Sequence, residues 1–237
     1  MKVFLWKLNF LLNIKDKIMY KILFIDEEKE VFDNFLDYVE ETDSDKKFQV
    51  LTEYPLESID EMIAKIIDIS PDVVITDFQL NDKKIDVTYN VPYNGVNLIE
   101  TFLDIREDFP CFVITSFDDD AILISKDVNK IYIKKILHEK EQSKANFLDR
   151  VEKQIQHYKS RIKKSEQRLE ELFNLRKQEK TTLKEEEEII ALDSFLEHSI
   201  NKKYAIPQQL KNARNKDYLQ KILEKADLLI SRLEGDK

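Results

Sequence analysis

The chain has 237 residues, 42% of them hydrophobic, two glycines and a formal net charge of -9, which suits a folded protein of one or two domains and nearly excludes a glycine loop that cradles phosphates. Charge is uneven: residues 19–150 hold 15 Lys and Arg against 30 Asp and Glu, and 151–237 hold 19 against 16. The first part is therefore ill suited to nonspecific binding of nucleic acid or anionic lipid, and the second has no basic stripe. The single cysteine, Cys111, excludes a disulfide framework and a cysteine metal site and suits a reducing, cytoplasmic setting.

Residues 1–18 read as an N-terminal extension whose apolar run is broken by Lys7 and Asn9 and is too short to span a bilayer. Met19-Tyr20-Lys21 makes a natural start for the strand that follows, so an over-long gene start is one expectation and a short amphipathic lead-in helix the other. From Tyr20, short apolar runs alternate with amphipathic segments. Strands are predicted at 21–25, 48–53, 72–76, 111–115 and 130–134, and helices at about 28–41, 58–68, 96–107 and 119–127. Five strands alternating with helices imply an α/β domain over residues 19–140, with a parallel sheet wound on both faces.

A further helix begins near Lys140 and opens an all-α region over 141–237. Leu148, Val151, Ile155, Tyr158, Ile162, Ser165, Leu169 and Leu172 keep a spacing of three then four, a heptad seam interrupted at Ser165. Thr182 and Glu185 fit a capping box that starts another helix through Ile189, Leu192, Leu196 and Ile200. After Pro207 a third pattern carries Leu219, Ile222, Ala226, Leu229 and Leu233. Each apolar stripe needs a partner, either within a bundle or in a coiled coil with a second chain.

The polar residues of the sheet gather at strand ends. The first strand runs into Asp26-Glu27-Glu28, the third (ISPDVVITDFQL, 69–80) into Asp77, the fourth into Thr115-Ser116, and the fifth supplies Lys134 and Lys135. In a parallel sheet these ends share one edge, where open α/β sheets carry their chemistry. Clustered carboxylates repel unless a cation joins them, and Mg2+ takes carboxylate oxygens while keeping waters and phosphate oxygens. A hydroxyl and an ammonium opposite would hold the remaining oxygens of a transferring phosphoryl group.

With KILFIDEE, PDVVITDFQL, NGVNLIE and PCFVITS in this order, residues 20 to about 140 resemble the receiver domain of two-component response regulators. The resemblance implies a flavodoxin-like five-stranded sheet and a phosphoryl group accepted on Asp77 from a sensor histidine kinase or phosphotransfer protein. It also implies Mg2+ at Asp26, Glu27, Asp77 and the backbone carbonyl of Gln79, with Thr115 as the phosphate-sensing hydroxyl. YIKKIL (132–137) fits the family's last strand with Tyr132 as the switch aromatic and Lys135 in the pocket. Phosphorylation would draw Thr115 and Tyr132 inward, and the helical tail would carry the change to a downstream protein or to a homodimer. A phosphate sink or relay shuttle, a constitutive helical scaffold and an atypical DNA-binding regulator are the alternatives; no separate catalytic output domain is expected.

The chain departs from the family pattern in three places. Asn81 stands where a proline is usual, and about ten extra residues, including Asp82 to Pro92, separate Asp77 from Gly95. Ile136 replaces the proline that normally follows the lysine, and Glu27 replaces the commoner Asp. The added loop reads either as a determinant of partner choice and phosphoryl lifetime or as a tolerated surface insertion. Asp118-Asp119-Asp120 read as helix caps rather than ligands, and His198 as a solvated surface residue rather than a phosphotransfer histidine.

Overall fold

The computed structural model describes residues 19–81, 86–115, 131–133, 146–178, 180–211 and 225. Residues 1–18, the predicted helix at 119–127 with Asp118 to Asp120, Lys134, Lys135, Ile136, the start of the long helix near Lys140 and, apart from Lys225, the pattern at 219–233 lie outside the described residues. So does the side chain of Tyr132.

β1 (Tyr20–Ile25), β3 (Val73–Asp77) and β4 (Cys111–Thr115) are apolar, mostly β-branched and aromatic runs buried at nearly every position. Strands of this kind need cover on both faces. β2 (Phe48–Glu53) is only half-buried, as an edge strand should be. The sheet is parallel throughout in the order β2-β1-β3-β4-β5, the last being the three-residue segment Ile131–Ile133. That is the doubly wound, receiver-like order, whose direction of winding reverses between β1 and β3.

Ile22, Phe24, Val73, Ile75, Phe112 and Ile114 alternate onto one face, under α1 (Lys29–Thr42) and the start of α4 (Phe147–Lys177). α1 turns Phe32, Phe35 and Val39 inward, at helical spacing, and Phe35 stacks 4.4 Å from Phe24 between ring centroids. From α4 come Phe147, Leu148, Val151 and Ile155, with Phe147 edge-on to Phe112 at 5.6 Å. Each such side chain contributes about 1.5–3 kcal/mol when fully buried, so this stretch of α4 belongs to the sheet domain. The residues of opposite parity, Leu23, Ile25, Val74, Thr76 and Val113, are equally buried. α2 (Ile59–Ile69) and α3 (Gly95–Leu103) supply the remaining apolar helix faces, with Met62, Ile63 and Ile66 on one and Val96, Leu98, Ile99 and Phe102 on the other.

Among the described residues, contacts divide the chain into two compact units: residues up to Phe102 with Phe109–His157, and Leu103–Asp108 with Tyr158 onward. The second unit corrects one helix boundary. α3 ends at Leu103 and not near residue 107, because the backbone that would extend it bonds elsewhere: Ile105 O accepts from Lys202 N at 2.7 Å and Glu107 N donates to His198 O at 3.1 Å. Asp108 then adopts a left-handed φ of 60° ahead of Pro110, which further excludes a continuing helix.

In the same unit the second half of α4 lies antiparallel to α5 (Leu183–Asn201). Tyr158 bonds Ser199 O, Arg161 covers the Phe195 ring at 4.2 Å, and Arg168 grips Glu188 through two bonds of 2.8 and 3.0 Å. The seam residues Leu169 and Leu172 are buried with Ile189, and Leu175, Leu192 and Leu196 pack around them. Ser165 is buried too. The predicted capping box is present, with Thr182 N donating to Glu185 at 2.8 Å and Glu185 N donating to Thr182 Oγ1. These bonds hold the Glu185 carboxyl below the usual carboxylate range. At the far end of α5, Lys211 of α6 (Gln208–Lys211) reaches Asp193 and Glu197 at 2.6 and 2.7 Å. Burial opposes its charge, but the two carboxylates more than offset this and raise its pKa.

Because Leu172 is fully buried in this hairpin, Leu172→Ala should cost about 2–5 kcal/mol. Urea unfolding measures the loss. A loss below about 1 kcal/mol would mean that the seam does not pack within the chain.

Candidate functional site

The register of the sheet assembles the site. Ile25 is level with Thr76 and Asp77 with Ile114, so Asp26 and Asp77 leave the ladder side by side and Thr115 follows one residue further along β4. All are buried: Asp26 is 0% exposed, Glu27 2%, Asp77 7% and Thr115 1%. Asp26, Glu27, Asp77 and Thr115 thus gather at the C-terminal edge of the sheet, around its switch point. Gln79 lies two residues beyond Asp77 and is half-buried.

Local bonds fix these positions. Asp26 Oδ1 accepts the Glu28 amide at 2.9 Å, closing a turn that delivers the chain into α1. Phe78 N donates to Ile114 O at 3.1 Å and so extends the pairing one residue beyond Asp77, while Gly95 N donates to Phe78 O at 2.8 Å. Gly95 is required sterically: a Cβ there would lie 1.9 Å from the Asp77 carbonyl oxygen. The glycine lets α3 begin directly against the backbone of Asp77. Asn94 and Asn97 cap its first turn, the Asn97 amide bonding Asn94 Oδ1 at 2.8 Å.

Among the described residues, no group of three or more His, Cys, Asp or Glu side chains is placed to hold a metal ion. The donor chemistry at this edge fits Mg2+ in its usual form, bound by one or two carboxylates and otherwise by carbonyl, water and phosphate oxygens. Asp26 and Glu27, with the carbonyl of Gln79, are the groups that would hold it.

The added residues after Asp77 are tied into the fold by bonds that their sequence did not announce. Asp86 Oδ2 accepts the Lys29 amide at 3.0 Å and so caps α1, which has no side-chain cap from Glu28. Tyr89 and Tyr93 donate their hydroxyls at 2.7 Å to the carbonyls of Pro55 and Leu56 just beyond β2. Burial pushes the pKa of both phenols upward. The available signal was the alternation Val87, Tyr89, Val91, Tyr93, an extended segment with one buried side.

His198 has a partner that the sequence reading did not supply. Its ring is half-buried, with Nδ1 2.9 Å from Glu107 Oε2, and Lys202 shares that carboxylate at 3.6 Å. It is a partly exposed surface residue that also ties two segments of the second unit together. No described helix is long and apolar enough to cross a membrane.

No protein-family model matches the chain, and no curated protein matches it. Among solved structures it is similar to the anti-anti-sigma factor PhyR from Bartonella quintana, at 16% identity and a TM-score of 0.39 over 65% of this chain. It spans 54% of the PhyR chain. It is also similar to the response regulator RcsB of Salmonella typhimurium, at 15% identity and TM-score 0.34 over 75% of this chain and 92% of that one. RcsB of Salmonella enterica serovar Typhimurium, bound to a promoter in the presence of phosphomimetic BeF3-, gives 15% and 0.34 over 81% and 95%. Likenesses of this size carry no functional argument. The receiver-like fold rests on the sheet order and on what stands at its edge.

Since a methyl group at Gly95 would collide with backbone, Gly95→Ala should destabilise the first unit by about 1–3 kcal/mol. Thermal unfolding followed by circular dichroism reads this, and an unchanged midpoint would mean that α3 does not start against Asp77.

Proposed function

We propose that the chain is a signalling receiver that accepts a phosphoryl group on Asp77 from a phosphohistidine of a sensor histidine kinase or phosphotransfer protein. The observation that carries the reading is the convergence of Asp26, Glu27, Asp77 and Thr115, all buried, at the switch point of a parallel sheet in the order β2-β1-β3-β4-β5. A carboxylate oxygen of Asp77 attacks phosphorus, the bond from phosphorus to the histidine nitrogen breaks, and its electron pair stays on the imidazole, which takes a proton from solvent. Asp26, Glu27 and the Gln79 carbonyl would hold Mg2+, which would supply positive charge to offset that of the transferring group. Thr115 offers a hydroxyl to a phosphoryl oxygen from the neighbouring strand, and Lys135, by its place in the sequence, supplies the ammonium. Tyr132 is the proposed switch residue on β5.

The tail is the proposed output, acting on a downstream protein. Its seam is filled within one chain at Leu169, Leu172 and Ile189, which favours a hairpin that presents a surface over a coiled-coil homodimer through those positions. The switch works through a local change of charge that biases packing elsewhere.

Incubation with acetyl phosphate and Mg2+ should give an Asp77-dependent shifted band on Phos-tag gels, absent in Asp77→Asn and abolished by EDTA. A band that persists in Asp77→Asn refutes Asp77 as the acceptor, and one that persists in EDTA refutes the metal site.

A further inference from the structure

The described part of the connection between β3 and α3 is built into the domain at both ends and in its middle. Its longer described stretch starts at Asp86, whose carboxylate caps Lys29 two residues beyond Glu27, and ends where Gly95 bonds the carbonyl of Phe78, the residue after Asp77. It therefore runs from the acid pair to the acceptor. Midway, two phenol hydroxyls bond consecutive carbonyls, Pro55 and Leu56, at 2.7 Å each. Val87, Val91 and Tyr93 are 3%, 1% and 8% exposed, and Asn81 Oδ1 accepts the Val91 amide at 3.2 Å. Across an open hollow of about 460 Å³, the limb Val91–Asn94 faces Gln79–Asn81, which begins two residues after Asp77.

We propose that residues 86–93 are a fixed strap that sets the lifetime of the phosphoryl group on Asp77 by confining the approach of water to the open side between Val91–Asn94 and Gln79–Asn81. The proposal rests on the receiver reading. In hydrolysis a water oxygen attacks phosphorus, the bond from phosphorus to the Asp77 oxygen breaks, and the electron pair returns to the carboxylate. Inorganic phosphate leaves, and the proton of the water passes to phosphate or solvent. An ordered wall beside the reacting centre restricts the positions from which water attacks. Tyr89, Tyr93 and Asp86 are positioning residues, and each latch of ordinary strength shifts the strap's opening equilibrium by about fivefold.

The test uses the full chain. Wild type, the double variant Tyr89→Phe/Tyr93→Phe, Asp86→Ala and Asp86→Asn are loaded with acetyl phosphate and Mg2+. The donor is then removed, and decay is followed on Phos-tag gels alongside thermal unfolding. The double variant, which lacks two latches, should lose its phosphoryl group about twenty-five-fold faster and Asp86→Ala about fivefold faster. Asp86→Asn, which keeps an oxygen for the Lys29 amide, should decay at the wild-type rate. Equal decay in the wild type and both unlatched variants overturns the strap and leaves the receiver reading standing. Should the tyrosine pair fail to fold, the contrast between Asp86→Ala and Asp86→Asn decides alone. Absence of any modified species, wild type included, overturns the receiver reading and the strap with it.

Discussion

Two buried carboxylates on adjoining strand ends are the constraint to which this edge of the molecule answers. Pairing Ile25 with Thr76 leaves Asp26 and Asp77 no choice but to emerge together, and both are almost completely shielded from solvent. Charges removed from water are costly unless compensated, and like charges in proximity raise the cost. The surroundings of the pair follow from this. The Glu28 amide serves Asp26, a hydroxyl stands at Thr115, and Gly95 brings a helix start to within contact of the Asp77 backbone. A cation and a phosphoryl group would complete the compensation, which is the physical basis of the proposed reaction.

The tail follows a different logic. A heptad stripe states only that one side of a helix must be covered, and a hairpin covers it as well as a second chain does. Here Arg168 and Glu188, Arg161 and Phe195, and Tyr158 and Ser199 set an antiparallel register within one chain. Leu103–Asp108 belongs to that same unit, bound by backbone bonds to His198 and Lys202 and by the Arg161 pair to Asp108.

The strands and most helices were legible because their signals are local. Unbroken apolar runs such as Val73-Val74-Ile75 mark strands buried on both faces, and Phe32, Phe35 and Val39 mark one helical side. The site was legible for a related reason, since acids placed at strand ends share an edge once the strands are parallel. What escaped depended on distant partners. The end of α3 is decided by Lys202 and His198, about ninety residues further along, and the cap of α1 by Asp86, 57 residues away. Tyr89 and Tyr93 could be seen to alternate with exposed residues, but their carbonyl acceptors at Pro55 and Leu56 could not be read from the loop itself. The Glu107 partner of His198 escaped for the same reason, since it lies 91 residues away in sequence.

The claim on which the rest depends is that Asp77 forms an acyl phosphate. Borohydride reduces an aspartyl phosphate to homoserine, so peptide mapping by mass spectrometry after treatment with acetyl phosphate, Mg2+ and borohydride locates the modified residue directly. The account predicts homoserine at position 77 and at no other aspartate. Homoserine elsewhere, or none at all in protein that remains folded, would contradict it.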